Sequence, residues 1–328
     1  MMRLGIWTPA PQSIRPDPTN QAALDALSRY GGGPDQNFDY AVQLLTRAEE
    51  LGFDITLIAQ RWFGPDLDSW IFAAALAPVL RKMQIMAAVH PGIVDPRIAA
   101  KMAATIDRIS GGRFCVNIVN GTRPTEHNMY GHWIDGEEGR YRQMQEFITI
   151  MKGLWTQDPF TFKGEFYTIE NGRMPTRSVL APHPPIFAAS RSYEGMNVVA
   201  KECNTWFVNY DKDYRHYEQS LKLIEKEIGV MEQRVQSFGR NMTYGINAIV
   251  ILGDTEEDAQ RKAQEHLDAV SRLQVGNSGL GANLIGTRKS IVEKVKRYEA
   301  MGIGLLMLHF WPMSAGLEQF AQEILPDL

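Results

Sequence analysis

Apolar positions along the chain fall into short unbroken runs separated by longer amphipathic stretches. The runs are Leu4 to Thr8, 55–59 (ITLIA), 83–90 (MQIMAAVH), Phe114 to Val119, 185–190 (PIFAAS), 205–209 (TWFVN), 245–252 (GINAIVIL) and 304–310 (GLLMLHF). Runs this short, apolar without alternation, predict strands of a parallel sheet covered on both faces. Between the first two, Tyr40, Leu44, Leu45, Ala48 and Leu51 share one helical stripe, closed by Gly52. Similar spacing predicts helices over 69–80, 96–110, 139–155, from Tyr193, over 212–237, 255–270 and 287–301, and from Ser314. Pro96 opens one of these, and Thr255, Glu256, Glu257 and Asp258 open another with the acidic turn that a helix dipole favours. One segment breaks the rhythm. FTFKGEFYTIENGRM, 160–174, alternates Phe, Thr and Tyr about Lys163-Gly164 and predicts an inserted hairpin. Eight strands, each followed by a helix, predict an α/β fold: a single (β/α)8 TIM barrel with insertion segments, one domain over residues 1–328. An open doubly wound sheet is the alternative.

The 328 residues are 44% hydrophobic and 22% charged, with a formal net charge of −4. This balance offers no basic surface for nucleic acid, and no apolar run approaches the roughly 18 residues that span a bilayer. The first nine residues lack the pattern of a signal peptide, and Cys115 and Cys203 are the two cysteines, so a cytoplasmic protein without a disulfide framework is expected.

A barrel of this kind gathers its chemistry at the carboxyl ends of its strands. Those positions are Thr8, Pro9, Ala59, Gln60, Arg61, Ala88, Val89, His90, Asn117, Asn120, Glu126, Ser190, Arg191, Ser192, Trp206, Asn209, Asn247, His309, Phe310 and Trp311, more polar and aromatic than the strand bodies. Asn117 stands inside an otherwise dry run. Its amide either meets something flat and polar at the barrel mouth or caps a neighbouring loop. Ser190, Arg191 and Ser192 lead into a helix and suit an anion, although serine N-capping alone also accounts for Ser192. His90 is either an acid or base near neutral pH or a structural histidine. Trp206 and Trp311 either wall an apolar pocket or pack in the core. The Gly-rich stretch 275–284 reads as a lid or as a surface connection. His127 and His132 lack metal-ligand spacing, so no metal site is expected, and no GxSxG elbow is present.

With these segments in hand, the chain resembles the bacterial-luciferase-like, flavin-dependent monooxygenases, in the branch of the alkanesulfonate, dimethyl sulfone and pyrimidine enzymes. The blocks that carry the resemblance are KMAATIDRISGGRFCVNIVNG (101–121), RYRQMQEFITIMKGLWT (140–156) with FTFKGEFYTIENGRM, and ANLIGTRKSIVEKV (282–295). It implies reduced FMN as a diffusible cosubstrate from a separate NAD(P)H-dependent flavin reductase, and O2, activated as a peroxyflavin. Asn117 matches the family Asn beside the flavin ring, Ala88 a small residue near its N5 edge, Glu126 a Glu beside the ring, and Arg61 a basic residue after the second strand. ASRS (189–192) replaces the family's Gly-Gly-Ser-Ser and retains Ser192. Tyr141 closes DGEEGRY (135–141), which stands in place of the family's DHxERY, and joins the flavin-binding set.

Alkanesulfonate enzymes carry Arg and His where this chain has Asn247 and Ile249, and Thr122 stands where sulfone and pyrimidine enzymes have Trp. Losing that cationic clamp favours a neutral substrate. The implied activity is oxygenation of a small neutral organosulfur compound with C–S cleavage. Arg61, His90, Asn117 and Glu126 are the expected catalytic residues. Ala88, Asn117, Tyr141, Ser190, Arg191 and Ser192 would bind FMN, and Trp206, Asn247 and Trp311 would line the substrate pocket. A homodimer or homotetramer is expected. The alternatives are C–N cleavage in a nitrogen heterocycle, a deazaflavin-dependent oxidoreductase on the same barrel, and a non-catalytic flavin-binding protein.

Overall fold

The computed structural model describes residues 2–9, 36–62, 66–121, 123–211, 213–272 and 282–328. Most of the Pro- and Gly-rich loop before Gln36, Thr122 and residues 275–281 of the expected lid lie outside them. The strands are β1 (Arg3–Trp7), β2 (Ile55–Ile58), β3 (Gln84–Val89), β4 (Phe114–Ile118), β5 (Phe160–Lys163), β6 (Thr168–Gly172), β7 (Ile186–Ala189), β8 (Thr205–Phe207), β9 (Thr243–Leu252), β10 (Leu284–Gly286) and β11 (Ile303–Phe310). The helices are α1 (Gln36–Glu50), α2 (Ser69–Leu76), α3 (Pro96–Ser110), α4 (Pro124–Tyr130), α5 (Glu137–Thr156), α6 (Tyr193–Glu202), α7 (Tyr217–Ser237), α8 (Glu256–Arg272), α9 (Arg288–Ala300) and α10 (Met313–Glu323).

β1, β2, β3, β4, β7, β8, β9 and β11 pair in parallel in that order, and β11 returns to β1. The expected eight-stranded closed barrel is therefore the fold. Each strand body is apolar on both faces, and the two faces feed two cores. Ile55, Leu57, Met86, Cys115, Phe187, Phe207, Leu305 and Met307 form one cluster, which fills the barrel. Their sequence neighbours, such as Ile58, Ile85, Val116, Leu306 and Leu308, pack outward against the helices. This alternation fixes which residues at each strand end face the mouth.

Local chemistry sets the helix boundaries. Asp68 and Asp95 accept backbone N–H groups at the starts of α2 and α3, and Pro96 occupies the first turn of α3. α2 stops at Leu76, short of the expected 80, because Pro78 has no N–H to continue the helical ladder. α7 begins at Tyr217 rather than 212. Asp211 and Asp213 accept backbone N–H groups two residues on and hold the preceding chain in turns. The β5–β6 hairpin is antiparallel as expected, but its loop runs from Gly164 to Tyr167, where Glu146 of α5 accepts the N–H groups of Glu165, Phe166 and Tyr167. Two elements were not expected: α4 in the polar loop after β4, and β10, which extends the sheet on the carboxyl half of β9.

Candidate active site

The mouth is built first from β3 and β4. Ala88 pairs with Asn117, and Asn117 with Phe187 of β7. The Ala88 carbonyl accepts the Ser69 hydroxyl at 2.9 Å and the Trp70 indole N–H at 2.8 Å, which pins this strand end to α2. A cleft opens here, lined by Trp7, Arg61, Ala88, His90, Asn117 and Glu126, among others. The Asn117 side chain lies on the face of β4 that carries Cys115 into the barrel core, so it points into the cleft and away from the outer loops.

The cleft has a cationic side. Arg123 donates to Glu126 at 3.3 Å, and Glu126 is buried in the first turn of α4. Arg61 faces both. Burial holds its guanidinium below the usual arginine range, and the like charge of Arg123 pushes the same way, against Asp66 and Glu126. Its Nε is buried without a hydrogen-bond partner among the described residues. Arg61 and Arg123 face Glu126, with Asp66 also acting on Arg61, so carboxylates offset the two guanidiniums and the cleft suits a neutral ligand on which negative charge develops.

The end of β3 holds His90 as a neutral ring. Burial, with His127 and Arg61 nearby, pushes its pKa down to about 3. The Trp62 indole N–H donates to His90 Nδ1 at 2.8 Å, so the neutral ring carries its proton on Nε2. At neutral pH it is a fixed hydrogen-bond donor with no proton to release. His127 packs at 5.9 Å from it, centroid to centroid. Gly121 (φ +62°) lies against His127, and a Cβ there would sit 2.1 Å from the imidazole.

A second group forms on β7 and α6, beside Asn117. Ser190 is buried and shares a 2.9 Å hydrogen bond with the Tyr141 hydroxyl. Ser192 caps α6, its hydroxyl accepting the Gly195 N–H at 3.2 Å. Glycine is required at 195 because a Cβ would stand 2.0 Å from Ser190 Oγ and 2.3 Å from the Tyr141 ring. Arg191 is exposed and donates to Asn209 at 3.2 Å. Hydroxyls, a guanidinium and a helix N-terminus thus meet at one corner of the rim, as anion binding needs.

The proposed substrate-pocket residues separate. Asn247 lies on the face of β9 shared with Gly245, where a Cβ would meet Phe207 of the barrel core, and its Oδ1 is buried without a partner among the described residues. Trp206, by contrast, is fully buried on the outer face of β8, where its N–H donates to the Ser190 carbonyl at 3.3 Å. It supports the serine corner and cannot wall a pocket. Trp311 packs edge-on to His266 at 5.6 Å and against the cluster of Tyr214, Ile249 and Ile251, away from the Arg61–Asn117 cleft. Trp7 was missed. Counting by twos from Gly5 would have turned it inward, where it lines the cleft and stacks on His309. Arg123 was missed too, because its approach depends on α4.

A profile described as luciferase-like monooxygenase matches residues 2–302. The chain is 30% identical over 337 residues to an FMNH2-dependent dimethylsulfone monooxygenase of Pseudomonas fluorescens (strain Pf0-1), covering 92% of this chain and 90% of that one. It is 29% identical over 327 residues to the protein of the same description from Pseudomonas putida, covering 88% of each. Among solved structures, a long-chain alkane monooxygenase superposes with a TM-score of 0.79 at 15% identity, over 100% of this chain and 91% of that one.

Proposed function

Because the chain belongs to the luciferase-like monooxygenase family, we propose that it uses reduced FMN and O2 to oxygenate a small neutral organosulfur compound of the dimethyl sulfone kind, cleaving a C–S bond. It is a reduced-FMN-dependent monooxygenase, like its curated relatives. The observation that carries the reading is the convergence on neighbouring parallel strands of Ala88 and Asn117 with the Tyr141–Ser190–Ser192 corner. A flat polar ring with a phosphate tail suits that span.

The residues fit the cofactor. Ser190, Ser192, Arg191 and the start of α6 would hold the phosphate, with Tyr141 fixing Ser190. Asn117 and Ala88 would lie along the ring, and Arg61 Nε, without a partner among the described residues, would supply a donor in the same cleft. Bound reduced FMN supplies the two electrons that let one atom of O2 enter substrate and the other leave as water. The protein's part is to orient ring and substrate, to exclude water, and to oppose developing negative charge with Arg61. The Nε2–H of neutral His90 would offer a hydrogen bond to a ligand in the cleft. Glu126 holds Arg123 in the cleft wall.

Asn247 supports a neutral substrate, since an uncharged amide could not neutralise a buried sulfonate. The reading includes a separate flavin reductase, assembly as a homodimer or homotetramer, and a cytoplasmic setting that suits two buried free cysteines. No helix among the described residues is long and apolar enough to cross a membrane. The test is a panel of sulfones, sulfonates and nitrogen heterocycles assayed with a flavin reductase and analysed by mass spectrometry. Dimethyl sulfone and its near homologues are expected to turn over. Preference for a sulfonate or for a pyrimidine would overturn the substrate assignment.

A further inference from the structure

We infer that Trp7 is a specificity-determining residue, whose indole N–H donates a hydrogen bond to an oxygen of the substrate's sulfonyl group; this deepens the reading above and rests on it. Trp7 ends β1 on the barrel-facing side and lines the same cleft as Ala88, Asn117 and Arg61. Its ring stacks on His309 of β11, with centroids 4.9 Å apart and 15° between the planes. Both strand ends are fixed by the barrel ladder, in which Ile6 pairs with Leu308. The indole is therefore held in one orientation, and its Nε1 is buried with no hydrogen-bond partner among the described residues. Buried donors are nearly always satisfied, and an orphan that borders a cleft calls for an acceptor on the ligand.

The chemistry of the acceptor follows from the donor. Indole N–H is neutral and can only donate. It suits an uncharged oxygen acceptor that brings no donor of its own, and a sulfone presents two such oxygens flanked by small apolar groups. The stacked Trp7 and His309 rings offer apolar surface to those groups. A sulfonate would bring a full charge to a neutral donor and lose more on desolvation than one such bond returns. A thioether of the same shape offers no comparable acceptor.

The test is ligand-observed NMR titration of dimethyl sulfone and dimethyl sulfide on the full-length protein with FMN bound, beside steady-state kinetics with a flavin reductase. The unmutated protein should bind the sulfone about two- to tenfold more tightly than the sulfide, the ratio that one net hydrogen bond gives. Trp7→Phe keeps an aromatic ring against His309 and removes only the donor. It should raise the sulfone Kd and KM roughly tenfold while leaving sulfide affinity, kcat and FMN affinity within about twofold. Equal binding of sulfone and sulfide by the unmutated protein would overturn the inference, as would unchanged sulfone affinity in Trp7→Phe or a loss confined to FMN. If the unmutated protein oxygenates dimethyl sulfone and Trp7→Phe does so with the same KM, the inference alone falls. If the unmutated protein neither binds nor oxygenates it, the sulfone reading falls as well.

Discussion

Asn117 is the residue whose position in a dry run first points to a ligand, and its burial at the cleft makes its loss measurable. Asn117→Ala is expected to weaken reduced FMN binding by about 1–3 kcal/mol, the range for removing one partner of a buried polar contact, in an anaerobic titration. Unchanged affinity would remove it from the ring site. Arg191 lies at the tail end of the same span. Arg191→Ala should cost FMN affinity far more than riboflavin affinity, and equal losses would mean that it does not meet the phosphate. His90 makes a different prediction. Its folded pKa of about 3 lies below the 6.5 of an unfolded histidine, so between these values the unfolded chain binds the extra proton. Its contribution is to make the fold less stable as pH falls through that window. His90→Gln, which keeps an acceptor for Trp62, should flatten the fall in unfolding free energy between pH 7 and 4.5. Ala88 and Asn117 were legible in the sequence because strand ends are legible. The neutrality of His90 was not, since it depends on burial beside Trp62, Arg61 and His127, which arrive from the loop after β2 and from α4.

At the scale of elements, the corner between α5, β7 and α6 depends on a glycine. Gly195→Ala places a methyl group against Ser190 and Tyr141, both short of room to move. It should destabilise the protein by about 1–3 kcal/mol, as overpacking does, and weaken FMN more than riboflavin. Intact stability with normal FMN affinity would show that the corner is slack. Periodicity found all eight barrel strands and the hairpin, because each buries apolar side chains at spacings that sequence displays. It missed α4, whose polar sequence and short length carry no apolar stripe, and β10, whose three residues follow a Gly-rich stretch. α4 matters most, since it carries Glu126 into the cleft wall beside Arg123. Likewise, Trp206 reads as a mouth residue by rank in its strand, but the outward face of β8 turns it to the helices.

For the molecule as a whole, the account joins one end of a closed barrel to one reaction. With a flavin reductase, one O2 and one reduced FMN should be consumed for each dimethyl sulfone cleaved, and no turnover should occur without oxygen. Anaerobic turnover by hydride transfer would instead make the chain a dehydrogenase on the same scaffold. The claim beneath all of these is spatial: the carboxyl rim of the barrel holds the flavin from Asn117 to Ser192. A crystal structure with FMN bound tests it most directly. The account predicts the ring against Ala88 and Asn117, with the phosphate at Ser190, Ser192 and the start of α6. FMN seated anywhere else, or with its phosphate away from that corner, would contradict it.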